Sequence, residues 1–427
     1  MITEFAIAAA LVYGPQYVKK NHKKWELRKE FQKIMDEIGI ANKSGETYTI
    51  SEVYPKEYGL FATIHIPKGK DFSKLVEIKE ALEISLKAFI ELEIDDRADW
   101  AKMYIIDNPQ NEDKEYETLK QAPWQAFLGY DRKGKPIFVD MSKTAHMLIA
   151  GMTGKGKSRL AFLILTNLAK HCNAKVIEMY FSQIRKLDFD KFKNLYQTKE
   201  YARTFEDTLN MLLRIDKAID DRNRYLEALE VETIKEYNEK NRQKMKFKWV
   251  MMEEFSFYMP KPGDDKETIE MKNAILSTLS KIVMSGRNVG IFVLAITQRS
   301  TATNIDPNVR SQMCRCTSKQ ASIIDSQNVI NINDAIKLKE QEFILFSDDY
   351  YWFKTPYIDR AMINEALKDC IKPIEVITPG PEPEEQKEEQ KKTVIDADYR
   401  VVEEQKKESK LTGIMDLEEL KKNAGRD

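Results

Sequence analysis

The sequence predicts an α/β fold built on a parallel sheet, with a smaller α+β unit in front of it. From Trp124 onward, continuous apolar runs of strand length alternate with longer helical patterns. That is the pattern of a sheet covered by helices on both faces. One of these runs leads directly into a glycine-containing loop followed by a helical stretch. Upstream of Trp124 the pattern changes to short alternating segments, as in strands with one face exposed.

In chain order, the N-terminal stretch Phe5 to Val18 is apolar but interrupted by Gly14-Pro15, and Lys19, Lys20, Lys23 and Lys24 follow it at once. It is shorter than the ~20 apolar residues that span a bilayer. Its basic flank is nonetheless what the cytoplasmic side of a membrane anchor carries, so the segment is a candidate membrane contact. No small-residue signal cleavage site follows a basic start, which argues against secretion. Residues 46–107 read as the α+β unit: strands TYTISEV and GLFATIHIP, a helical stretch from Phe72 to Leu86, then AFIELEI and WAKMYII. The later strands are MLIAG (147–151), AKVIEMYF (174–181), FKWVMM (247–252), GIFVLAI (290–296), CRCTS (314–318) and EFILF (342–346). A polar helical stretch runs from Thr204 to Asn241. After Lys372 the composition turns to Pro and Glu, which reads as a disordered acidic tail over 373–427. Ile414 to Leu420 is its one amphipathic stretch, a candidate docking peptide.

Composition bounds the function. At roughly 100 to 200 residues per domain, a chain of 427 residues, 42% hydrophobic and 32% charged, holds two or three domains. The 68 Lys and Arg nearly cancel the 69 Asp and Glu, so a nucleic-acid partner has to be met by a local basic surface. The four cysteines form no C-x-x-C pair and the four histidines are scattered, so neither a zinc site nor a disulfide framework is expected and a reducing cytosol fits best.

The chemistry is concentrated in Gly151-Met152-Thr153-Gly154-Lys155-Gly156-Lys157-Ser158, a full match to G-x-x-x-x-G-K-[ST] between a strand and a helix. Such a loop presents backbone N–H groups to phosphates at a helix N-terminus. Lys157 would reach the β- and γ-phosphates of ATP and Ser158 would ligate Mg²⁺. An NTPase also needs carboxylates at the end of a neighbouring strand, and FKWVMM is followed by Glu253 and Glu254. Glu253 is the expected metal-side acid and Glu254 the expected general base. A Glu at the first position reaches one methylene further than an Asp, so nucleotide binding should survive and hydrolysis should slow. Gln298, in Thr297-Gln298-Arg299 after GIFVLAI, places an amide where it can sense the γ-phosphate or the attacking water.

At this point the chain resembles FtsK/SpoIIIE-type DNA translocases. The likeness is carried by LGYDRKGKPIFVDMSKTAHMLIAGMTGKGKS (128–158) with Gly134, Pro136, Asp140 and His146, and by IDKAIDDRNRYLEALEVETIKEYNEKN (215–241) with Arg222, Tyr237 and Asn238. MMEEFSFYM and SGRNVGIFVLAITQRS (285–300) complete it, in the family's order over roughly 130–320. The resemblance implies a RecA-like P-loop motor acting as an ATPase, in a homo-oligomeric, hexameric ring whose sites are completed by a neighbour's arginine. Arg310 and Arg315 lie where that arginine falls, and Lys319 where the family has a DNA-facing loop. YFSQIRKLD (180–188) stands in place of the family's strand with Asp-Pro-Lys.

The implied division is a helical segment over 1–40, the α+β domain over 41–120, the ATPase domain over 121–372 and the tail. No stretch resembles the four-helix membrane region or the winged-helix domain of chromosome translocases, so orientation by chromosomal signals is not expected. The resemblance therefore leans towards coupling proteins and element-encoded translocases: an ATP-dependent DNA translocase in conjugative transfer or segregation, cytoplasmic or membrane-associated, with a relaxase or secretion-channel partner. The alternative is an ATP-switched docking protein with little turnover. A metabolic P-loop kinase is disfavoured because no acceptor-binding lid is apparent.

Overall fold

The computed structural model describes residues 15–96, 99–184, 188–298 and 307–373. The apolar stretch before Pro15 and the tail beyond Pro373, including Ile414 to Leu420, lie outside the described residues. Among the described residues no helix is long and apolar enough to cross a membrane.

The smaller unit is a helix, Pro15–Ile38, set against a four-stranded antiparallel sheet of β1 (Thr49–Lys56), β2 (Gly59–His65), β3 (Phe89–Ile94) and β4 (Trp100–Ile106) in the order β1-β2-β4-β3. Strands β2 and β4 alternate burial, and the inward residues Ala62, Ile64, Ala101 and Met103 meet Leu27, Phe31, Ile34 and Met35 of the helix in one core. Period-two alternation against a helix face is what lets such a small sheet bury one side.

The second sheet has ten strands. They are β5 (Gln125–Asp131), β6 (Pro136–Asp140), β7 (Met147–Ala150), β8 (Ile177–Ser182), β9 (Thr198–Ala202), β10 (Phe247–Met252), β11 (Ile291–Ile296), β12 (Cys314–Thr317), β13 (Glu342–Phe346) and β14 (Tyr350–Lys354), in the order β6-β5-β14-β13-β12-β7-β11-β10-β8-β9. The six strands from β12 to β9 are parallel, as expected. The expected strand EFILF is present as β13 but pairs antiparallel, and with β14, β5 and β6 it extends the sheet into a mixed one. Strands β7 and β11 are buried at every position. One face packs Met147, Ile149, Trp249 and Phe292 against the helix Lys157–His171. The other packs Leu148, Val250 and Val293 against the helices Phe205–Ala228 and Lys266–Ser285.

The two sheets are tied through the antiparallel strands. Lys133 Nζ lies 2.6 Å from Glu91 Oε2, with side chains only 9% and 18% exposed. The Arg132 guanidinium sits 3.8 Å from the Phe89 ring centroid and the Lys79 ammonium 4.6 Å from that of Trp352. Partly desolvated pairs of this kind hold more firmly than surface ion pairs.

Gly129 closes the join between β5 and β14. Its φ is +137°, and a Cβ there would lie 2.3 Å from the Lys354 carbonyl oxygen. Gly129→Ala should therefore lower the unfolding midpoint. The backbone conformation alone costs about 1–3 kcal/mol with a side chain, and relief requires β14 to move; thermal denaturation followed by circular dichroism measures the loss.

Candidate functional site

Strand β7 ends at Ala150 and the chain turns through Gly151–Ser158 into the helix Lys157–His171. The turn depends on glycine twice. Gly151 has φ +140°, and a Cβ there would fall 2.0 Å from Ser318 Oγ; Gly156 has φ +100° and is the helix N-cap. The neighbouring strand's exit braces the loop: Ser318 N donates to Ala150 O and Met152 N to Lys319 O, both at 3.0 Å. The helices starting after Thr204, Thr233, Asp265, Ser322 and Asp359 have side-chain caps, whereas that after Gly156 has none. Its first N–H groups are thus available to an anion.

A cavity of ≈ 220 Å³ opens over this loop, lined by Thr153, Gly154, Gly156, Lys157, Ser158, Glu253, Glu254 and Gln298, with Arg159 and Glu340 at its margin. The loop, the two carboxylates and the amide predicted from sequence therefore meet at one place, although more than a hundred residues separate some of them. Lys157 is 8% exposed, and its ammonium donates to the Gly151 and Met152 carbonyls at 2.6 and 2.9 Å. Glu254 follows β10 in the left-handed region, φ 45° and ψ 71°. Its Oε1 accepts from Ser256 Oγ at 2.8 Å and from the Gln298 backbone N–H at 3.3 Å. A non-glycine residue held at positive φ stores strain, which persists only where the surroundings fix it. Here those two donors fix the carboxylate.

Glu253 is 5% exposed, and its N–H donates to Ser182 O at 3.0 Å, joining the ends of β10 and β8. Beneath it, Ser182 Oγ lies 2.6 Å from both Thr208 Oγ1 and Tyr258 Oη. Burial, reinforced by the Glu253 charge, pushes the Tyr258 hydroxyl up, so this cluster stays neutral.

Several residues quoted for the resemblance are struts. His146 Nδ1 accepts from Val293 N at 3.1 Å, pinning the start of β7 to β11, and burial pushes its imidazole down to about 3. Arg222 donates to Val289 O and Lys246 O, and the Asn238 side chain bonds the Met245 backbone twice. Arg310 and Arg315 do not line the cavity. Arg310 Nη1 donates to Asn328 O at 2.9 Å, and the half-buried Arg315 guanidinium lies 4.6 Å from the Phe346 ring centroid. The Lys319 side chain is partly exposed beside the loop that its carbonyl braces.

Two features were missed in the sequence. Ser158 Oγ lies 3.4 Å from Asp188 Oδ2, contributed by the segment after β8. A second cavity of ≈ 820 Å³ adjoins the first through Arg159 and Glu340 and is lined also by Tyr116, Thr355, Tyr357 and Met362, with the Arg159 guanidinium 4.2 Å from the Tyr357 ring centroid. The only signal for the first was an unmatched acidic residue in a divergent segment; the second had none. The Ser158 hydroxyl, the Asp188 carboxylate beside it and the Glu253 carboxylate lining the same cavity as Ser158 all offer oxygens, which suits a hard cation such as Mg²⁺. Among the described residues no group of three or more His, Cys, Asp or Glu could hold a metal alone, so phosphate and water oxygens would have to complete its shell.

Comparison with known proteins bears on the fold and the family. Residues 111–255 match the FtsK/SpoIIIE family model. The DNA translocase SftA of Bacillus subtilis is 22% identical over 312 residues, 67% of this chain and 31% of that protein. The DNA translocase FtsK of Treponema pallidum is 25% identical over 246 residues, 56% of this chain and 30% of that protein. The chain thus spans about a third of the length of these relatives. Among solved structures, the pCW3 conjugation coupling protein TcpA, in a monomer form with ATPγS, has a TM-score of 0.55 at 18% identity, covering 80% of this chain and 98% of that one. ATPases 2 and 3 of EssC from Geobacillus thermodenitrificans give 0.50 at 15% identity, covering 60% and 49%. These likenesses show that the chain shares its α/β fold with those two proteins.

Gly151→Ala should disrupt the loop, and Ser318→Gly in the same chain should recover part of the loss, because the nearest atom to the new Cβ is Ser318 Oγ. Thermal stability and binding of a fluorescent ATP analogue, measured across the double-mutant cycle, test this coupling; strictly additive effects would contradict it.

Proposed function

We propose that the protein, whose residues 111–255 match the FtsK/SpoIIIE family model, is an ATP-dependent DNA translocase. One observation carries the reading: the phosphate loop, Lys157 and a Glu254 carboxylate anchored on the Gln298 backbone share one cavity. ATP would lay its phosphates on the N–H groups at the start of the helix Lys157–His171, with its base directed to the adjoining cavity beside Tyr357. Lys157 would exchange the Gly151 and Met152 carbonyls for phosphate oxygens. Glu254, with Oε1 held by Ser256 and Gln298, would take the proton of the attacking water on its other oxygen. Mg²⁺, held by Ser158 and Glu253 together with the phosphates, would supply charge neutralisation at the transferring group.

Arg310 and Arg315 lie outside the cavity of their own subunit, which is what an arginine acting on a neighbour's site requires. A hexameric ring of identical subunits, which the family resemblance implies, belongs to this reading. Lys319 would contact DNA phosphate, and its backbone bond to Met152 would link that contact to the phosphate loop. Phosphate contacts position without reading sequence, so DNA binding should be weakly specific and steeply salt-dependent. The proposed setting is conjugative transfer or segregation of a mobile element, in keeping with a fold shared with a conjugation coupling protein. The division into an α+β domain over 41–120 and a motor over 121–372 belongs to this reading, as do a relaxase or secretion-channel partner and an N-terminal membrane contact.

The second reading is an ATP-switched docking protein with little turnover. Glu253 in place of Asp favours it, as does the hold of the loop carbonyls on Lys157.

Steady-state ATP hydrolysis with double- and single-stranded DNA, using Glu254→Gln as the blank, separates the two. A motor should show turnover stimulated by one form of DNA and reduced in the variant by at least ~10²-fold, the low end for a lost general base. Turnover equal to the blank with either DNA, despite ATP binding, would leave the docking protein. Lys157→Ala should lose ATP binding itself, measured with the same fluorescent analogue.

A further inference from the structure

Asp188 belongs to none of the motifs that define the site. It comes from the segment after β8, where the chain departs from the family pattern, yet its Oδ2 lies 3.4 Å from the hydroxyl of Ser158, a residue 30 positions away. That distance is too long for a strong hydroxyl–carboxylate bond, usually ~2.5–2.7 Å. It is close to the ~3 Å between neighbouring oxygens around a six-coordinate cation with ~2.1 Å bonds.

The surroundings single out this carboxylate. Asp190, two residues on, is engaged by Tyr201 Oη at 2.8 Å and by the Arg203 guanidinium at 2.5 Å. The Lys191 ammonium rests 3.4 Å from the Phe162 ring centroid, half-buried and within the through-space reach of the Asp188 and Glu253 charges.

We propose that Asp188 is a positioning residue for the divalent cation at the phosphate loop, holding Ser158 and the metal's water shell. This rests on the nucleotide-binding reading above and adds to it a second acid, outside the expected Glu253-Glu254 pair. A carboxylate here has two opposing effects. It strengthens retention of Mg²⁺, and it repels ATP phosphates that arrive without a metal.

The experiment is binding of a fluorescent ATP analogue to the full chain, titrated with Mg²⁺ and repeated in EDTA, for the wild type, Asp188→Asn and Asp188→Glu. The Mg²⁺ midpoint should rise about 10-fold or more in Asp188→Asn, the lower end for loss of a partner supporting a metal's ligands. Metal-free affinity should be unchanged or tighter, and Asp188→Glu should recover part of the shift. An unchanged Mg²⁺ midpoint in Asp188→Asn would overturn the proposal. So would an equal loss of affinity with and without metal, which is the signature of a merely structural residue. Failure of the wild type to bind the analogue under either condition would instead overturn the nucleotide-binding reading itself, and this inference with it.

Discussion

The site depends on the burial of one short strand. β7 has four residues, all fully buried, with β12 on one side and β11 on the other. A strand covered on both faces and paired on both edges cannot shift without exposing apolar surface and breaking two ladders. Its end, at Ala150, is therefore a fixed point. Because β12, β7, β11 and β10 run parallel, their exits all leave the same edge of the sheet, where ligands of open α/β sheets bind. The phosphate loop, Glu253-Glu254, Thr297-Gln298 and Ser318-Lys319 are four such exits. The constellation follows from the parallel register.

That logic sets what was legible in the sequence. The parallel strands announce themselves because full burial demands continuous apolar runs, and FKWVMM and GIFVLAI fall within a residue of β10 and β11. β5, β6, β9 and β14 were harder to see. β9 is TKEYA and β14 is YYWFK, edge-like segments whose partly exposed residues carry no clear period. The antiparallel pairing of β13 was also hidden, since its long, helix-containing connection from β12 is the kind that usually leads to a parallel strand. The three residues between β13 and β14 allow only a hairpin.

The candidate site divides the same way. Residues fixed by local chemistry were readable: glycines for the turn, Lys157 and Ser158 at the helix start, acids and an amide at strand ends. Contacts between distant segments were not. Arg159 meets Glu340 across 181 positions and Ser158 meets Asp188 across 30, and no periodicity encodes either pairing. Lys319 was readable as a loop residue, but the use of its carbonyl to brace Met152 is a backbone event to which side-chain identity is blind.

These contacts also bear on how the site could report its state. The Glu254 carboxylate and the Gln298 backbone are bonded to each other, so a change at that carboxylate is felt directly at the exit of β11. The Met152–Lys319 bond does the same between the phosphate loop and the exit of β12. Both links are single hydrogen bonds between segments otherwise anchored in rigid strands. Bonds of this kind contribute about 1 kcal/mol each, small beside the several kcal/mol available from binding a nucleotide's phosphates. Nucleotide state can therefore rearrange them without disturbing the buried strands beneath, and the loops beyond β11 and β12 are where such rearrangement would be transmitted outward. The strain at Glu254 fits this arrangement: a left-handed residue held by one donor of its own turn and one from the exit of β11 can be reset when either donor changes partner.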